Sequence, residues 1–235
     1  MIPKKIHYCW FGRKPLPQEV VKYMDSWRKF LPECEIKEWN EDNFDINMFD
    51  YTREAYFAKK YAFVSDVARL WALVHEGGLY LDTDVLILKA FNPEMWEKSA
   101  FIGFEHESLI GTGLIAAEVG HPFFESFLGE YKEMHFFKGF KYDYETNVSR
   151  ITKLFLKKGL IPNNVNQTVA GVNVYKQEFF CNKDWRSNRY YNTDDSYAIH
   201  DFQSSWIPIN GHIWAKIAKK ISDLKTILSY KACCE

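Results

Sequence analysis

Residues 61–88 constrain the fold more than any other stretch, because charged residues and glycines interrupt an almost continuous apolar sequence there. Over 62–75 the apolar side chains occupy nearly every direction around a helix, which predicts a helix buried on both sides. At 3.6 residues per turn, Ser65, Asp66 and Arg69 fall within a sector of roughly 100°. These polar side chains are therefore expected to point to one place.

Two glycines and two aspartates follow this helix. Gly77 and Gly78 predict a left-handed helix cap, and 79–88 then reads as a strand that is interrupted at Asp82 and Asp84. Side chains at i and i+2 of a strand project to the same face, so the two carboxylates are expected to face a common ligand. Close carboxylates repel each other unless a cation lies between them, and Mg²⁺ or Mn²⁺ held in this way completes its shell with water and substrate phosphates. The pair thus predicts a diphosphate-binding site.

The N-terminal sequence predicts a parallel βαβ unit. Residues 5–10 and 34–39 read as strands, and 17–30 reads as a helix between them. Open parallel sheets bind ligands beyond the carboxyl ends of their strands, and Trp10 lies at such an end. Its indole is expected either to stack on a nucleotide base or to pack in the core.

The later sequence adds further elements. Strands are expected over 100–104 and 114–117, and the glycines of 111–113 indicate either a hairpin turn or a close approach of the backbone to a sugar. A buried strand over 197–200 leads into a dense group of polar side chains, His200, Asp201, Ser204, Ser205 and Trp206. His200 and Asp201 read equally well as metal ligands or phosphate donors and as a structural pair.

Composition excludes several classes of protein. The 235 residues, 47% of them apolar, suffice for one substantial core, and a net charge of −1 does not steer the chain toward nucleic acid. Five cysteines without a CxxC motif predict a reducing compartment. The chain has neither a signal-peptide pattern nor an apolar run of about 18 residues, so we expect a cytoplasmic protein.

Residues 212–230 read as a basic amphipathic helix that packs on the domain or rests on the inner face of a membrane.

Three motifs, AFVSDVARL, GGLYLDTD and AIHDFQSSW, occur in the order typical of one group of sugar-transferring enzymes. They resemble glycosyltransferase family 32, the enzymes with a DXD motif, and the opening IPKKIHYCWFG resembles bacterial members linked to capsular or surface polysaccharide synthesis. The resemblance extends more distantly to the large clostridial glucosylating toxins. It implies an α/β fold of GT-A type, a Rossmann-like mixed sheet flanked by helices, with a C-terminal helical segment.

The length of the chain, together with a resemblance that covers roughly residues 2–206, predicts one domain over residues 1–235. Residues 1–133 would form the nucleotide-sugar-binding core, 134–211 the acceptor side and the region that closes over the diphosphate, and 212–235 the C-terminal amphipathic helix and tail.

The resemblance also implies roles for individual residues. Asp66, Arg69 and Asp82 match catalytic positions at the donor sugar. The positions that would bind the metal ion are matched by Asp84, Asp201 and His200. The remaining nucleotide-sugar positions are Trp10, Ser65, Tyr80, Ser204, Trp206 and Thr112, together with Asp82. Thr112 stands where the family pattern has Asn, in GTG rather than an Asn-Gly pair.

The function implied is a metal-dependent, retaining transfer of a hexose from a nucleotide-sugar, a UDP-sugar by family frequency, to a saccharide or lipid-linked saccharide acceptor. The divalent metal would be Mn²⁺ or Mg²⁺. Two alternatives remain: a Mg²⁺-dependent phosphohydrolase that uses the Asp-x-Asp pair as nucleophile and acid, and a non-catalytic carbohydrate- or nucleotide-binding module.

Overall fold

The computed structural model describes residues 1–183, 189–190 and 193–202. Its first half contains strands β1 (Lys5–Cys9), β2 (Glu35–Trp39), β3 (Gly78–Leu81) and β4 (Val85–Ile87). The helices of this half are α1 (Gln18–Phe30), α2 (Asp50–Phe57), α3 (Tyr61–Glu76) and the short α4 (Pro93–Trp96). The predicted N-terminal strand, helix and strand are confirmed, since β1 and β2 pair in parallel.

The second half of the described residues contains the two longest strands, several short strands and two α-helices. Strands β5 (Ala100–His106) and β6 (Leu109–Ala117) form a hairpin, followed by helix α5 (Pro122–Glu130). After these come β7 (Phe137–Lys138), β8 (Lys141–Tyr142), α6 (Asn147–Lys157), β9 (Gln167–Val169), β10 (Val172–Tyr175) and β11 (Ala198–His200).

Seven strands form one mixed sheet in the order β2-β1-β3-β6-β5-β10-β9. The pairs β2-β1, β1-β3 and β5-β10 are parallel, whereas β3-β6, β5-β6 and β10-β9 are antiparallel. Strands β4 and β11 pair antiparallel in a separate two-stranded ribbon, and β7 and β8 form a short hairpin. The predicted α/β class with a mixed sheet flanked by helices is confirmed.

Apolar clusters cover both faces of the sheet, because alternate residues of each strand belong to opposite clusters. Helices α2, α3, α5 and α6 cover one face. Helix α1, helix α4 and the β4-β11 ribbon cover the other. The carboxyl end of β3 is thus approached by α3 from one side and by the ribbon from the other.

Two local predictions agree with the structure only in part. Residues 79–88 do not form one interrupted strand, because a turn over 82–84 sends β3 into the large sheet and β4 into the ribbon. Residues 111–113 are not a turn either: they lie inside β6, and the hairpin turn comes earlier, after His106. Glycine predicted the turn because of its conformational freedom, but here it is required by close packing, as described below.

The cap of α3 matches its prediction in part: the helix ends at Gly77, but with φ 61° and ψ −169° Gly77 is not in the left-handed helical conformation. Gly77 and Gly78 both have positive φ, 61° and 106°, a region that residues with a Cβ rarely adopt. Within the described ranges no helix is long and apolar enough to span a bilayer. The predicted helix over 212–230 lies outside the described residues.

Candidate active site

Asp82 and Asp84 are brought together by a turn at the carboxyl end of β3. The main-chain N–H of Val85 donates to the carbonyl of Asp82 at 3.0 Å, which closes the turn. The expectation that the two carboxylates face one place is therefore correct, but the cause is the turn rather than the alternation of side chains along a strand. Both carboxylates are partly buried, with 24% and 17% of their side-chain surface exposed.

His200 joins this pair from β11. Its Nε2 lies 3.3 Å from Oδ1 of Asp84 and 3.9 Å from Oδ2 of Asp82. One ligand atom from each of the three residues can be chosen so that all lie within 4.8 Å of one another. Burial disfavours a charged imidazole, but Asp84 outweighs that effect and raises the pKa of His200 well above its ordinary value.

Arg69 of α3 connects the aspartates to the sheet. Its Nη2 lies 2.9 Å from Oδ1 of Asp66 and 3.3 Å from Oδ1 of Asp82. Its Nη1 donates to the main-chain oxygen of Thr112 in β6 at 2.7 Å, and its Nε donates to the carbonyl of Ser65 at 3.3 Å. Four partners fix the plane of a guanidinium whose side chain is only 6% exposed.

The Tyr80 side chain contacts both Arg69 and Asp82. The guanidinium lies 4.7 Å from the centre of the Tyr80 ring, a cation–π contact, and the Tyr80 hydroxyl donates to Oδ1 of Asp82 at 2.8 Å. Burial raises the pKa of Asp66 to about 6, although Arg69 acts in the opposite direction. Asp66, Arg69 and Asp82 thus form a tightly connected group that shares Asp82 with the cluster of Asp82, Asp84 and His200.

This geometry lies within a segment that matches a known family. Residues 17–101 match the family described as the glycosyltransferase sugar-binding region containing a DXD motif. The chain thus contains the sugar-binding region of the DXD-containing glycosyltransferases. The predicted family and the prediction of an enzyme are thereby confirmed, and the Asp82-Thr83-Asp84 triplet is the DXD motif of this glycosyltransferase.

Proteins similar in sequence include viral and bacterial ones. An uncharacterised glycosyltransferase of Acanthamoeba polyphaga mimivirus is 28% identical over 219 residues, which cover 88% of this chain and 85% of the relative. Subversion of eukaryotic traffic protein A of Legionella pneumophila is 27% identical over 128 residues, which cover 43% of this chain but 20% of that protein.

Two solved structures show partial similarity to this chain, both with TM-scores below 0.5. The PaToxG glycosyltransferase has a TM-score of 0.48 at 18% identity, covering 67% of this chain and 70% of its own. The galactosyltransferase LgtC, solved with donor and acceptor sugar analogues, has a TM-score of 0.46 at 12% identity, covering 96% of this chain and 95% of its own.

The remaining predicted site residues lie outside the cluster of Asp82, Asp84 and His200. Trp10 follows β1, whose parallel pairing with β3 places it at the same edge of the sheet as the DXD motif. Its indole N–H donates to the carbonyl of Lys14 at 2.6 Å. Ser65 lies one helical turn before Arg69, and Thr112 is buried and contributes its carbonyl to Arg69.

Asp201 does not join the three-residue cluster. Its carboxylate accepts from the hydroxyl of Tyr23 at 2.6 Å and from that of Tyr190 at 3.3 Å, and it forms an ion pair with Lys183. The placement of Asp201 on the metal side stays a prediction. Ser204 and Trp206 lie outside the described residues.

Glu105 of β5 is a site residue that the sequence did not reveal. It is half-buried, and the charged groups that influence it are His200, Asp82, Arg69 and Asp84. Burial raises the pKa of Glu105 to about 7. The only signal in the sequence is that Glu105 follows five uncharged residues in AFIGFE. An acidic residue at that point ordinarily marks the solvent-exposed end of a strand.

Proposed function

We propose that this glycosyltransferase is divalent-cation-dependent and moves a hexose from a nucleotide-sugar, a UDP-hexose, to a saccharide or lipid-linked saccharide. One observation carries the proposal: Asp82, Asp84 and His200 converge within 4.8 Å beside the Arg69 group. A divalent cation held between these carboxylates would contact the diphosphate of a nucleotide-sugar, a group that a free neutral sugar lacks.

The donor set suits Mn²⁺, and Mg²⁺ less well. Carboxylate oxygens are ligands for Mg²⁺ and Mn²⁺ alike, whereas an imidazole favours transition metals. Two carboxylates also repel each other, and Glu105 adds a third acidic group nearby, so a divalent ion would relieve that repulsion. Asp84 and His200 would hold the ion, with Asp82 as the third ligand.

The Arg69 group would hold the donor sugar. Since Arg69 contacts Asp66 and Asp82 at 2.9 and 3.3 Å, both carboxylates are fixed as acceptors for sugar hydroxyls. Fixed hydrogen-bond partners place the anomeric carbon for attack without reorganisation during the reaction. Ser65, Tyr80 and Thr112 act by holding this group, because each contacts Arg69 through its carbonyl or its ring.

In the transfer, the bond between the anomeric carbon and the diphosphate oxygen breaks and its electron pair stays on the diphosphate. The acceptor hydroxyl oxygen forms the new bond to the same carbon, and its proton is taken up by the leaving diphosphate. A bound divalent cation would neutralise the charge that develops on the leaving diphosphate. We assign Trp10 to the nucleotide base, and Asp201, Ser204 and Trp206 to the diphosphate side. These assignments, and retention of the anomeric configuration, rest on the resemblance to family 32.

The biological role proposed is synthesis of a capsular or surface polysaccharide. A net charge of −1 does not favour a nucleic acid acceptor. Contact of residues 212–235 with the inner face of a membrane stays part of the proposal and would bring a lipid-linked acceptor to the site.

The proposal is tested by incubating the protein with UDP-glucose, UDP-galactose, UDP-N-acetylglucosamine and GDP-mannose, each with Mn²⁺, with Mg²⁺ and with EDTA. The released nucleoside diphosphate and the released free sugar are measured. Slow release from one donor that EDTA abolishes is the expected result, and NMR of the released or transferred sugar reports its anomeric configuration.

The same assay includes p-nitrophenyl phosphate and nucleoside diphosphates. Metal-dependent release of inorganic phosphate from these esters, without release of sugar, would support the phosphohydrolase instead. Binding of a donor without any turnover would support the non-catalytic module.

A further inference from the structure

Two polar side chains lie on the buried face of helix α6. Asn147 is 2% exposed and Thr152 is 5% exposed, and the apolar residues Ile151, Leu154 and Phe155 of the same helix are buried as well. A polar group in such a place lowers stability unless it forms a hydrogen bond. Each of the two forms one with the main chain of another element, so contacts beyond the helix account for their positions.

Asn147 contacts α3 at Asp66. Its Nδ2 donates to the main-chain oxygen of Asp66 at 3.2 Å, and the hydroxyl of Tyr131 donates to its Oδ1 at 3.4 Å. Inside a helix that oxygen accepts from the N–H four residues later, and its second lone pair is available to the side chain of Asn147. The amide therefore fixes the backbone of α3 at the residue whose carboxylate lies 2.9 Å from Arg69.

Thr152 contacts the start of β6. Its Oγ1 accepts from the main-chain N–H of Ile110 at 2.9 Å, and this hydrogen bond is buried. The pairing of β5 with β6 shifts register on both sides of the pair of Phe104 and Ile110, and Thr152 gives the Ile110 N–H an acceptor from outside the sheet. Two residues further along β6, the carbonyl of Thr112 accepts from Nη1 of Arg69 at 2.7 Å.

Asn147 and Thr152 thus connect α6 to both segments that Arg69 itself joins. Their Cα atoms are about 7.5 Å apart along the helix axis, because each residue adds about 1.5 Å. We propose that Asn147 and Thr152 are positioning residues for Arg69, which hold α3 at Asp66 and the start of β6 at the separation that the guanidinium spans. The inference rests on the proposed function, in which Asp66 and Arg69 hold the donor sugar.

A guanidinium with contacts on two elements is sensitive to the distance between them. Nη2 of Arg69 lies 2.9 Å from the carboxylate of Asp66 on α3, and Nη1 lies 2.7 Å from the carbonyl of Thr112 on β6. A shift of α3 relative to β6 by about 1 Å would take one of these contacts beyond hydrogen-bonding distance. A displacement of that size at a group that positions substrate can lower turnover by about 100-fold.

The two aspartates of the DXD motif have anchors of their own. The main-chain N–H of Asp82 donates to the carbonyl of Gly113 at 2.8 Å, and the main-chain oxygen of Asp84 accepts from the N–H of Asp201 at 2.9 Å. Neither hydrogen bond involves α6. Loss of the α6 contacts is therefore expected to lower donor turnover while the affinity for Mn²⁺ stays nearly unchanged.

The test compares Asn147→Ala and Thr152→Val with the control Asn173→Ala in the full chain. Valine keeps the shape of Thr152 but removes its acceptor. Asn173 of β10 is chemically matched to Asn147, because its Nδ2 also donates to a main-chain carbonyl, that of Ala100, at 3.0 Å.

Three properties of each variant are measured. The donor that the wild type uses, among the four nucleotide-sugars above, gives kcat and KM separately from the release of nucleoside diphosphate. Calorimetric titration gives the affinities for Mn²⁺ and for UDP or GDP alone, whichever the donor contains. Circular dichroism gives the midpoint of thermal unfolding, and all assays are run below it.

Asn147→Ala is expected to lower kcat about 10-fold or more and Thr152→Val about threefold or more, with affinities for Mn²⁺ and the nucleoside diphosphate within about threefold of the wild type. Asn173→Ala is expected to keep the wild-type kcat, even where its unfolding midpoint is lower. This split between turnover and binding separates a positioning role from a general loss of stability. If Asn147→Ala does not fold, Thr152→Val decides.

Wild-type kcat in either folded α6 variant would overturn the inference and leave the proposed function in place. An equal fall of kcat in Asn173→Ala, or an equal loss of turnover and of both affinities in the α6 variants, would overturn it as well. Absence of donor turnover in the wild-type protein would overturn the proposed function, and the roles of Asn147 and Thr152 with it.

Discussion

Nε2 of His200 lies 3.3 Å from Oδ1 of Asp84, which joins the DXD motif to a strand from the far end of the described chain. The antiparallel pairing of β4 with β11 creates this contact, with His200 opposite Val85 in the register. A cation site assembled from two distant segments depends on that ribbon. The other half of the predicted closing segment, Ser204 and Trp206, lies outside the described residues.

Asp84→Asn is expected to abolish metal-dependent turnover while the protein stays folded. The amide keeps the size of the side chain but removes the charge that a divalent cation requires. Turnover is measured as nucleotide release with and without Mn²⁺, and folding is measured by circular dichroism. Asp25→Asn is the matched control, because Asp25 is exposed and pairs with Arg28 within α1. Wild-type rates in Asp84→Asn would refute the assignment.

Arg69→Met is expected to lower the free energy of unfolding by about 3–5 kcal/mol, because it leaves the carboxylate of Asp66 buried without its partner. Chemical denaturation measures the change. Adding Asp66→Asn in the same chain is expected to recover part of the loss, since the uncompensated charge is then gone. The control Arg28→Met removes an exposed ion pair and is expected to cost less than about 1 kcal/mol. Equal costs for Arg69→Met and Arg28→Met would contradict the buried pair.

Gly113→Ala is expected to displace His200 and weaken Mn²⁺ binding about 10-fold or more, because the added methyl group would lie 2.8 Å from Cε1 of the imidazole. The control is Gly129→Ala in α5, where a Cβ meets no atom within 4 Å. That control is expected to leave Mn²⁺ binding unchanged and to favour the helix. The Mn²⁺ affinities of both variants are measured by calorimetric titration. Similar affinities for Gly113→Ala and Gly129→Ala would show that position 113 has room for a side chain.

Glu105→Gln is expected to reduce the affinity for Mn²⁺ several-fold while leaving the fold intact. At about pH 8, above the raised pKa of Glu105, the change removes one negative charge that acts on His200, Asp82 and Asp84 but keeps the shape of the side chain. Glu107→Gln provides the comparison, since Glu107 is exposed at the turn of the same hairpin. If both variants bind Mn²⁺ as the wild type does, Glu105 does not act on the cation.

As the pH is lowered below about 6.5, the free energy of unfolding is expected to decrease because His7 must take up a proton. This imidazole is fully buried, contacts the carbonyl of Gly77 through Nε2 at 2.7 Å and accepts from the indole N–H of Trp39 through Nδ1 at 3.0 Å. The neutral ring satisfies both contacts, and burial lowers the pKa of His7.

The unfolded chain therefore binds more protons than the folded one as pH falls from the unfolded pKa of His7 to the folded one. Over that window the free energy of unfolding should fall by up to about 1.4 kcal/mol per pH unit. Denaturation of the wild type and of His7→Gln at about pH 7.5 and pH 5.5 isolates this contribution. The same pH dependence in both proteins would exclude His7 as its source.

Part of the site could be predicted because its signals are local. The face shared by Ser65, Asp66 and Arg69 follows from helical periodicity, and the positive φ of Gly77 and Gly78 follows from the lack of a Cβ. The DXD motif indicated a cation site from the repulsion of two neighbouring carboxylates alone. The three motifs taken together predicted a glycosyltransferase with a mixed α/β sheet.

Other features depend on contacts between distant segments. The sequence showed neither that β3 and β4 separate into two sheets nor that Gly113 lies in a strand under His200, because both follow from which strands pair. Glu105 gave no useful signal, since its place beside His200 depends on the position of β5 next to β6. Sequence by itself thus determined which chemical groups the protein has and their local arrangement along α3 and the DXD motif. Only the tertiary structure decided which of those groups meet, because strand pairing, and not spacing along the chain, brings His200 to the two aspartates.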